Sequence, residues 1–243
     1  MSDISVQTSA GACRIQLNRP DTGNVANMEM VAALTKALGS IGPDVKLVVI
    51  AGAGKDFCKG RDYQSAPEAA GAGKTPPNAL ALREQMTGPM MSLYTVLRDC
   101  PVATLSLVQG AAHGFGCALA GACDMTIAAE SARFRLPEMG RGLPPTLAMS
   151  ALWERVSPRL IGYMVYSTAE LTAREALNAG LAHIVVPDAE LESRAATLTE
   201  TICKEPLHAI RTVKEYLREA PAMNSAGRNT FGASLFAGAL SSR

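Results

Sequence analysis

The 243-residue chain has almost no charge imbalance: 23 Lys and Arg against 22 Asp and Glu leave a formal net charge of +1. No long-range field therefore draws in nucleic acid or an anionic membrane, and an anionic ligand must be met by a local site. The six cysteines, Cys13, Cys58, Cys100, Cys117, Cys123 and Cys203, include no CxxC pair and mostly sit in apolar runs. That usage fits reduced, buried thiols in a reducing compartment. A basic patch followed by an apolar segment is missing after Met1-Ser2-Asp3-Ile4, and no uninterrupted apolar run is long enough to span a bilayer. The expectation is a cytoplasmic protein with neither nucleic acid nor membrane as partner.

Motifs of hydrolytic chemistry are lacking as well. There is no HExxH, no paired-cysteine ligand set and no GxSxG elbow, which leaves metal-dependent and serine hydrolysis without support. The run Gly71-Ala72-Gly73-Lys74-Thr75 imitates the end of a phosphate-binding loop, but Glu68 stands where its first glycine belongs and Pro76-Pro77 forbid the helix that should follow. Gly52-Ala53-Gly54-Lys55-Asp56 has no Ser or Thr to hold magnesium.

What is present is a core and two glycine turns. Hydrophobic residues make up 48% of the chain, enough to fill a large single core and to exclude a disordered chain. The turns are Phe57-Cys58-Lys59-Gly60-Arg61-Asp62 and Gly110-Ala111-Ala112-His113-Gly114-Phe115-Gly116-Cys117-Ala118, each after a strand-like apolar run. Glycine lets successive N–H groups point at one oxygen instead of into a ladder. Two such turns facing each other would make an oxyanion hole.

Around them, periodicity gives alternating strands and helices. Residues 4–17 read as a strand pair around Ser9-Ala10-Gly11, and Met28, Val31, Leu34, Thr35 and Leu38 as a helix stopped at Gly39. Residues 46–51 form an apolar run typical of a strand buried on both faces. The Ala-, Gly- and Pro-rich stretch 67–77 is placed as a mobile loop over a site. Leu82, Met86, Met90, Leu93 and Leu97 mark a helix kinked at Pro89 and ended by Cys100-Pro101. Strands are predicted over 102–108, 125–128 and 182–186, and a helical region begins near Ala189 with Leu191, Ala195, Leu198 and Ile202 on one face. Strands feeding helices in this way imply an α/β core.

Four segments in order carry a family likeness: Asn18-Arg19-Pro20; the strand and turn from Val45 to Cys58; the strand from Cys100 to Gly110; and the stretch from Leu171 to Pro187. On these, covering most of its length, the chain resembles the crotonase superfamily of enoyl-CoA hydratases and isomerases. The resemblance implies an α/β fold, a spiral of repeated ββα units over 1–188 that holds the CoA-binding and active site. It also implies a C-terminal helical region over 189–243 for trimerisation, with a homotrimer or dimer of trimers as the assembly. Phe231, Leu235, Phe236 and Leu240 near the C-terminus form an apolar set that one chain need not hide alone. No separate cofactor is implied, since coenzyme A arrives as part of an acyl-CoA substrate.

Matching the motifs residue by residue puts the two oxyanion amides at Arg61 and Phe115, and places Phe57, Lys59, Gly60, Asp62 and Gly114 in the CoA-binding turns. Hydratases of the family carry one glutamate directly after the second turn and another in a Pro-Glu pair about twenty residues on. Here the first position is Ala118 and the second is kept, as Pro137-Glu138. A single carboxylate suffices to move a proton between neighbouring carbons, so the expected activity is 3-enoyl-CoA to 2-enoyl-CoA isomerisation with Glu138 as base. Hydration or lyase chemistry with another proton carrier such as His113, and acyl-CoA binding without turnover, stay open. Packing against Leu136, Met139 and Leu143 is expected to raise the Glu138 pKa.

Several positions depart from the family pattern. Arg61 and Phe115 are bulky where relatives carry small residues, and Pro144-Pro145-Thr146 replaces a glycine-rich turn. Lys59 and Arg61 read equally as phosphate ligands and as a solvated basic pair. Asp62 is expected to cap the turn after it, His113 to be a packed imidazole, and Asp124 to bond backbone amides.

Overall fold

In the computed structural model, which describes residues 2–62 and 78–241, ten helices and nine strands build two sheets wrapped by helices. The first strands are β1 (Ile4–Ser9) and β2 (Ala12–Leu17), a hairpin turning at Ala10 and Gly11, both with positive φ. Helix α1 (Met28–Gly39) follows; the Asn27 side chain accepts from the Met30 amide and Met30, Val31, Leu34 and Leu38 turn inward.

Strand β3 (Leu47–Gly52) is buried along its whole length. Its alternate residues serve two layers: Val48 and Ile50 pack with α1, while Leu47, Val49 and Ala51 face the opposite core. The full sheet runs β1-β2-β3-β4-β6-β9, where β4 is Ala103–Val108, β6 is Met125–Ala129 and β9 is Ile184–Val186; every pairing after the first hairpin is parallel. Leu191, Ala195, Leu198 and Ile202 of α8 (Leu191–Lys204) cover its second face, in line with their sequence spacing.

A smaller sheet, β5 (Ala111–His113), β7 (Arg133–Arg135) and β8 (Glu170–Thr172), stands beside the first. Between β5 and β6 lies α4 (Phe115–Ala122), buried on all sides, which only a helix of Ala, Gly, Cys, Leu and Phe could be. Helices α5 (Thr146–Leu152), α6 (Pro158–Ser167) and α7 (Ala173–Asn178) follow, and α9 (Leu207–Glu219) and α10 (Ser225–Ser241) end the described chain.

The expected kink at Pro89 takes another form. Helix α2 (Ala79–Leu82) passes through a π turn, Arg83–Thr87, into α3 (Gly88–Arg98), and the Gly88 amide bonds Arg83 O. Widening the turn ahead of Pro89 absorbs a ring that has no N–H and would clash with the carbonyl four residues back. The proposed loop over 67–77 and the turn that Asp62 would cap lie outside the described residues.

Candidate active site

The two glycine turns meet. The segment from Phe57 to Asp62 is threaded between two others: Phe57 N–H donates to Gln109 O (2.8 Å) and Cys58 N–H to Ala111 O (2.9 Å), while His113 N–H returns a bond to Cys58 O (2.9 Å). On its other side Ala26 N–H donates to Gly60 O and Asp62 N–H to Ala26 O, both at 2.8 Å. In that parallel bridge the flanking residues make the bonds, so the Arg61 amide faces away from Ala26.

Glycine is required where the turns touch. Gly60 has φ +116°, and a Cβ there would come within 3.3 Å of His113 O; a Cβ on Gly116 would collide with Cys58 O. Gly114, φ +52°, lets the chain leave β5 and start α4 at once, its own N–H held by Arg135 O at 2.8 Å. Phe115 is thereby the first residue of α4, where an N–H has no acceptor within its own helix and the helix dipole favours negative charge.

Glu138 completes the arrangement. A Cβ on Gly114 would lie 2.5 Å from Glu138 Oε1, so the carboxyl sits directly on the second turn. The residue is 8% exposed, and Oε2 is buried with no hydrogen-bond partner among the described residues. Burial pushes its pKa up, opposed by its own backbone amide and by Arg141. The expected wall of Leu136, Met139 and Leu143 is only partly there. Leu136 is fully buried and Leu143, though 42% exposed, lines the same cavity as Glu138, but Met139 on the 3-10 turn Glu138–Arg141 is 41% exposed; close approach of Gly114 adds to the shielding.

A cavity of about 270 Å³ opens on this carboxyl, walled by Met86, Met90 and Tyr94 on one side and by Pro144, Leu147 and Ala148 on the other. Arg61 and Phe115 also border it, and Glu138 is the one carboxylate in its wall among the described residues. Ala118 is wholly buried inside α4, so no acid stands at that position. Tyr94, unremarked in the sequence, stacks on Phe115 with ring centres 6.4 Å apart; its place four residues after Met90 was the available signal.

The remaining candidates support the turns. Phe57 is wholly buried beneath the first turn. Lys59 Nζ pairs with Asp56 Oδ2 at 2.9 Å, and Asp56 accepts from the Ala111 amide, which holds its carboxyl below the usual range against the opposing effect of burial. His113 Nε2 lies 3.0 Å from Glu170 Oε2, off hydrogen-bonding direction, and borders no part of the cavity; burial outweighs Glu170 and lowers its pKa. Asp124 holds Thr104 N–H and Oγ1 (both 2.9 Å), as expected, and also Lys214 Nζ at 2.7 Å, a pairing the sequence did not announce. Cys58, Cys117 and Cys123 are free thiols pushed up to about 12 by burial, hence unreactive. Among the described residues no helix is long and apolar enough to cross a membrane.

Known proteins share this architecture. A probable enoyl-CoA hydratase of Rhodobacter capsulatus is 31% identical over 217 residues, 87% of this chain and 79% of that one. Human enoyl-CoA delta isomerase 2 is 29% identical over 221 residues, 89% of this chain but 54% of its own length. A candidate enoyl-CoA hydratase from Thermobifida fusca, solved in complex with CoA, superposes with a TM-score of 0.90 at 26% identity, covering 99% of this chain and 94% of that one. The enoyl-CoA hydratase/isomerase family model matches residues 7–242, and the chain belongs to that family, an enzyme of the crotonase superfamily.

Proposed function

We propose that the enzyme moves a double bond within an acyl-CoA thioester, from the 3 to the 2 position, using Glu138 as its single base. The observation that carries this reading is the buried carboxyl of Glu138, the one carboxylate among the described residues of an otherwise largely apolar cavity and set against Gly114. In this scheme the thioester oxygen is held by the Arg61 and Phe115 amides. Glu138 takes a proton from C2, the electron pair shifts through the dienolate, and the same carboxyl returns the proton at C4. Two donors aimed at the enolate oxygen act most strongly at the transition state, each contributing about 3–4 kcal/mol. A raised pKa keeps the protonated intermediate accessible for the return step.

The relative solved with CoA and the relatives named for enoyl-CoA chemistry support an acyl-CoA substrate. Hydration needs a second group to hold the water. Ala118 is apolar, and His113 faces Glu170 rather than the cavity, which argues against that route. Incubation with 3-enoyl-CoA is expected to raise the absorbance of the conjugated thioester. Loss of that absorbance from 2-enoyl-CoA by water addition, or saturable binding with no spectral change from either thioester, would overturn the proposal.

A further inference from the structure

A second cavity, of about 300 Å³, lies beside the first and is built by the same helices. Met86, Thr87 and Met90 of the π turn and α3 face the cavity at Glu138; Met91, Thr95 and Arg98, further round α3, face the second. Helix α5 divides likewise, with Leu147 and Ala148 on the first cavity and Ser150 and Ala151 on the second. Among the described residues one side chain borders both: Tyr94, 6% exposed and stacked on Phe115.

Resting on the acyl-CoA reading above, we infer that Tyr94 is the end wall of the acyl pocket and sets the longest acyl chain the enzyme accepts, the second cavity being the space that a longer chain would enter if Tyr94 were smaller. The Phe115 ring, at the head of α4, stacks on the Tyr94 ring and holds it between the two cavities, so chain length is coupled to the residue whose amide faces the thioester. The second cavity has a mixed lining: Met91, Ala122 and Ala151 give it an apolar part, and Arg98, Glu154 and Arg155 a charged one. Its cations are already engaged, Arg98 with Asp99 and Arg155 with Asp124.

Saturated straight-chain acyl-CoA thioesters of increasing length, which have no double bond to move, test this by calorimetric binding without relying on turnover. Each methylene that enters an apolar pocket strengthens binding about fourfold. With the wild-type enzyme that gain is expected to stop at one chain length; in Tyr94→Leu and Tyr94→Ala it is expected to continue for several carbons more. Tyr94→Ala combined with Ala151→Phe, which refills the second cavity, should restore the original limit. An unchanged break point in both single variants, or a double variant that still binds the longer chains, would overturn the inference. Failure of the isomerase proposal alone would leave the break points where they are and remove only the absorbance change.

Discussion

At the scale of single residues, Glu138 sets activity against stability. Its carboxyl is buried beside Gly114 and its pKa is raised, so the folded state holds this proton more tightly than the unfolded chain does. Stability from this group is therefore greatest at acid pH and declines as pH rises through the raised pKa, where a buried charge must form. Glu138→Gln is expected to lower kcat on 3-enoyl-CoA by roughly 100- to 10,000-fold. The same variant should melt above the wild type at neutral pH, the gap closing on acidification; a variant with full activity, or one that melts lower at every pH, would contradict the assignment. The wild-type rate should rise with pH along a limb displaced above the ordinary glutamate range.

Gly114 is the other decisive residue. Gly114→Ala places a methyl group 2.5 Å from Glu138 Oε1, in a backbone conformation that side chains rarely adopt. Loss of kcat by at least about 100-fold is expected, of the order that follows from misplacing an oxyanion donor, with the circular dichroism of the fold retained. Kinetics matching those of the wild type would mean that the second turn is not part of the site. The sequence revealed Gly114 and Glu138 separately, as a motif glycine and a Pro-Glu pair. That one rests on the other depends on β5 and β7 being neighbours in the small sheet, which the spacing along the chain does not specify.

At the scale of elements, the helices and strands read well because their apolar periods are regular. Met28, Val31, Leu34 and Leu38 repeat with helical spacing and form α1; the apolar run read at 46–51 becomes the strand Leu47–Gly52, with a core on each face. The π turn before Pro89 was not readable in this way, since a proline marks a problem in the hydrogen-bond ladder without saying how the ladder resolves it. Lys214 was equally hidden. It lies on α9 between Val213 and Glu215, yet it is 4% exposed and bonds both Asp124 oxygens, tying α9 to the end of α4. Lys214→Met leaves Asp124 short of a buried partner and should cost about 3–5 kcal/mol in urea unfolding. Arg155→Met, which removes a 3.4 Å contact to the same carboxyl at a more exposed position, should cost about 1 kcal/mol or less. Equal losses from the two variants would show that α9 docks by its apolar face alone.

For the molecule as a whole, the two cores are complete but the C-terminal helices are not covered. Val213 and Leu217 on α9 are 59% and 55% exposed, and Phe236 and Leu240 on α10 are 66% and 49% exposed. An apolar surface of this kind on an enzyme of this family fits the trimer or dimer of trimers that the resemblance implies. Sedimentation is expected to give a multiple of three chains, and Leu217→Glu with Phe236→Glu to shift it towards the single chain. A wild-type protein that sediments as one chain at micromolar concentration would refute the assembly.

The amino-acid sequence by itself determined the strands of the large sheet, helices α1, α3 and α8, the two glycine turns and the survival of a single Pro-Glu carboxyl, because each is written in local pattern: an apolar period, a residue that tolerates positive φ, a pair of adjacent side chains. Only the tertiary structure decided that Gly114 shields Glu138, that Lys214 is buried against Asp124, and that Tyr94 stands between two cavities. The first two relations join residues 24 and 90 positions apart along the chain. They are fixed by which strands pair and which helices cover them, and that choice is settled by filling the core, not by any local signal.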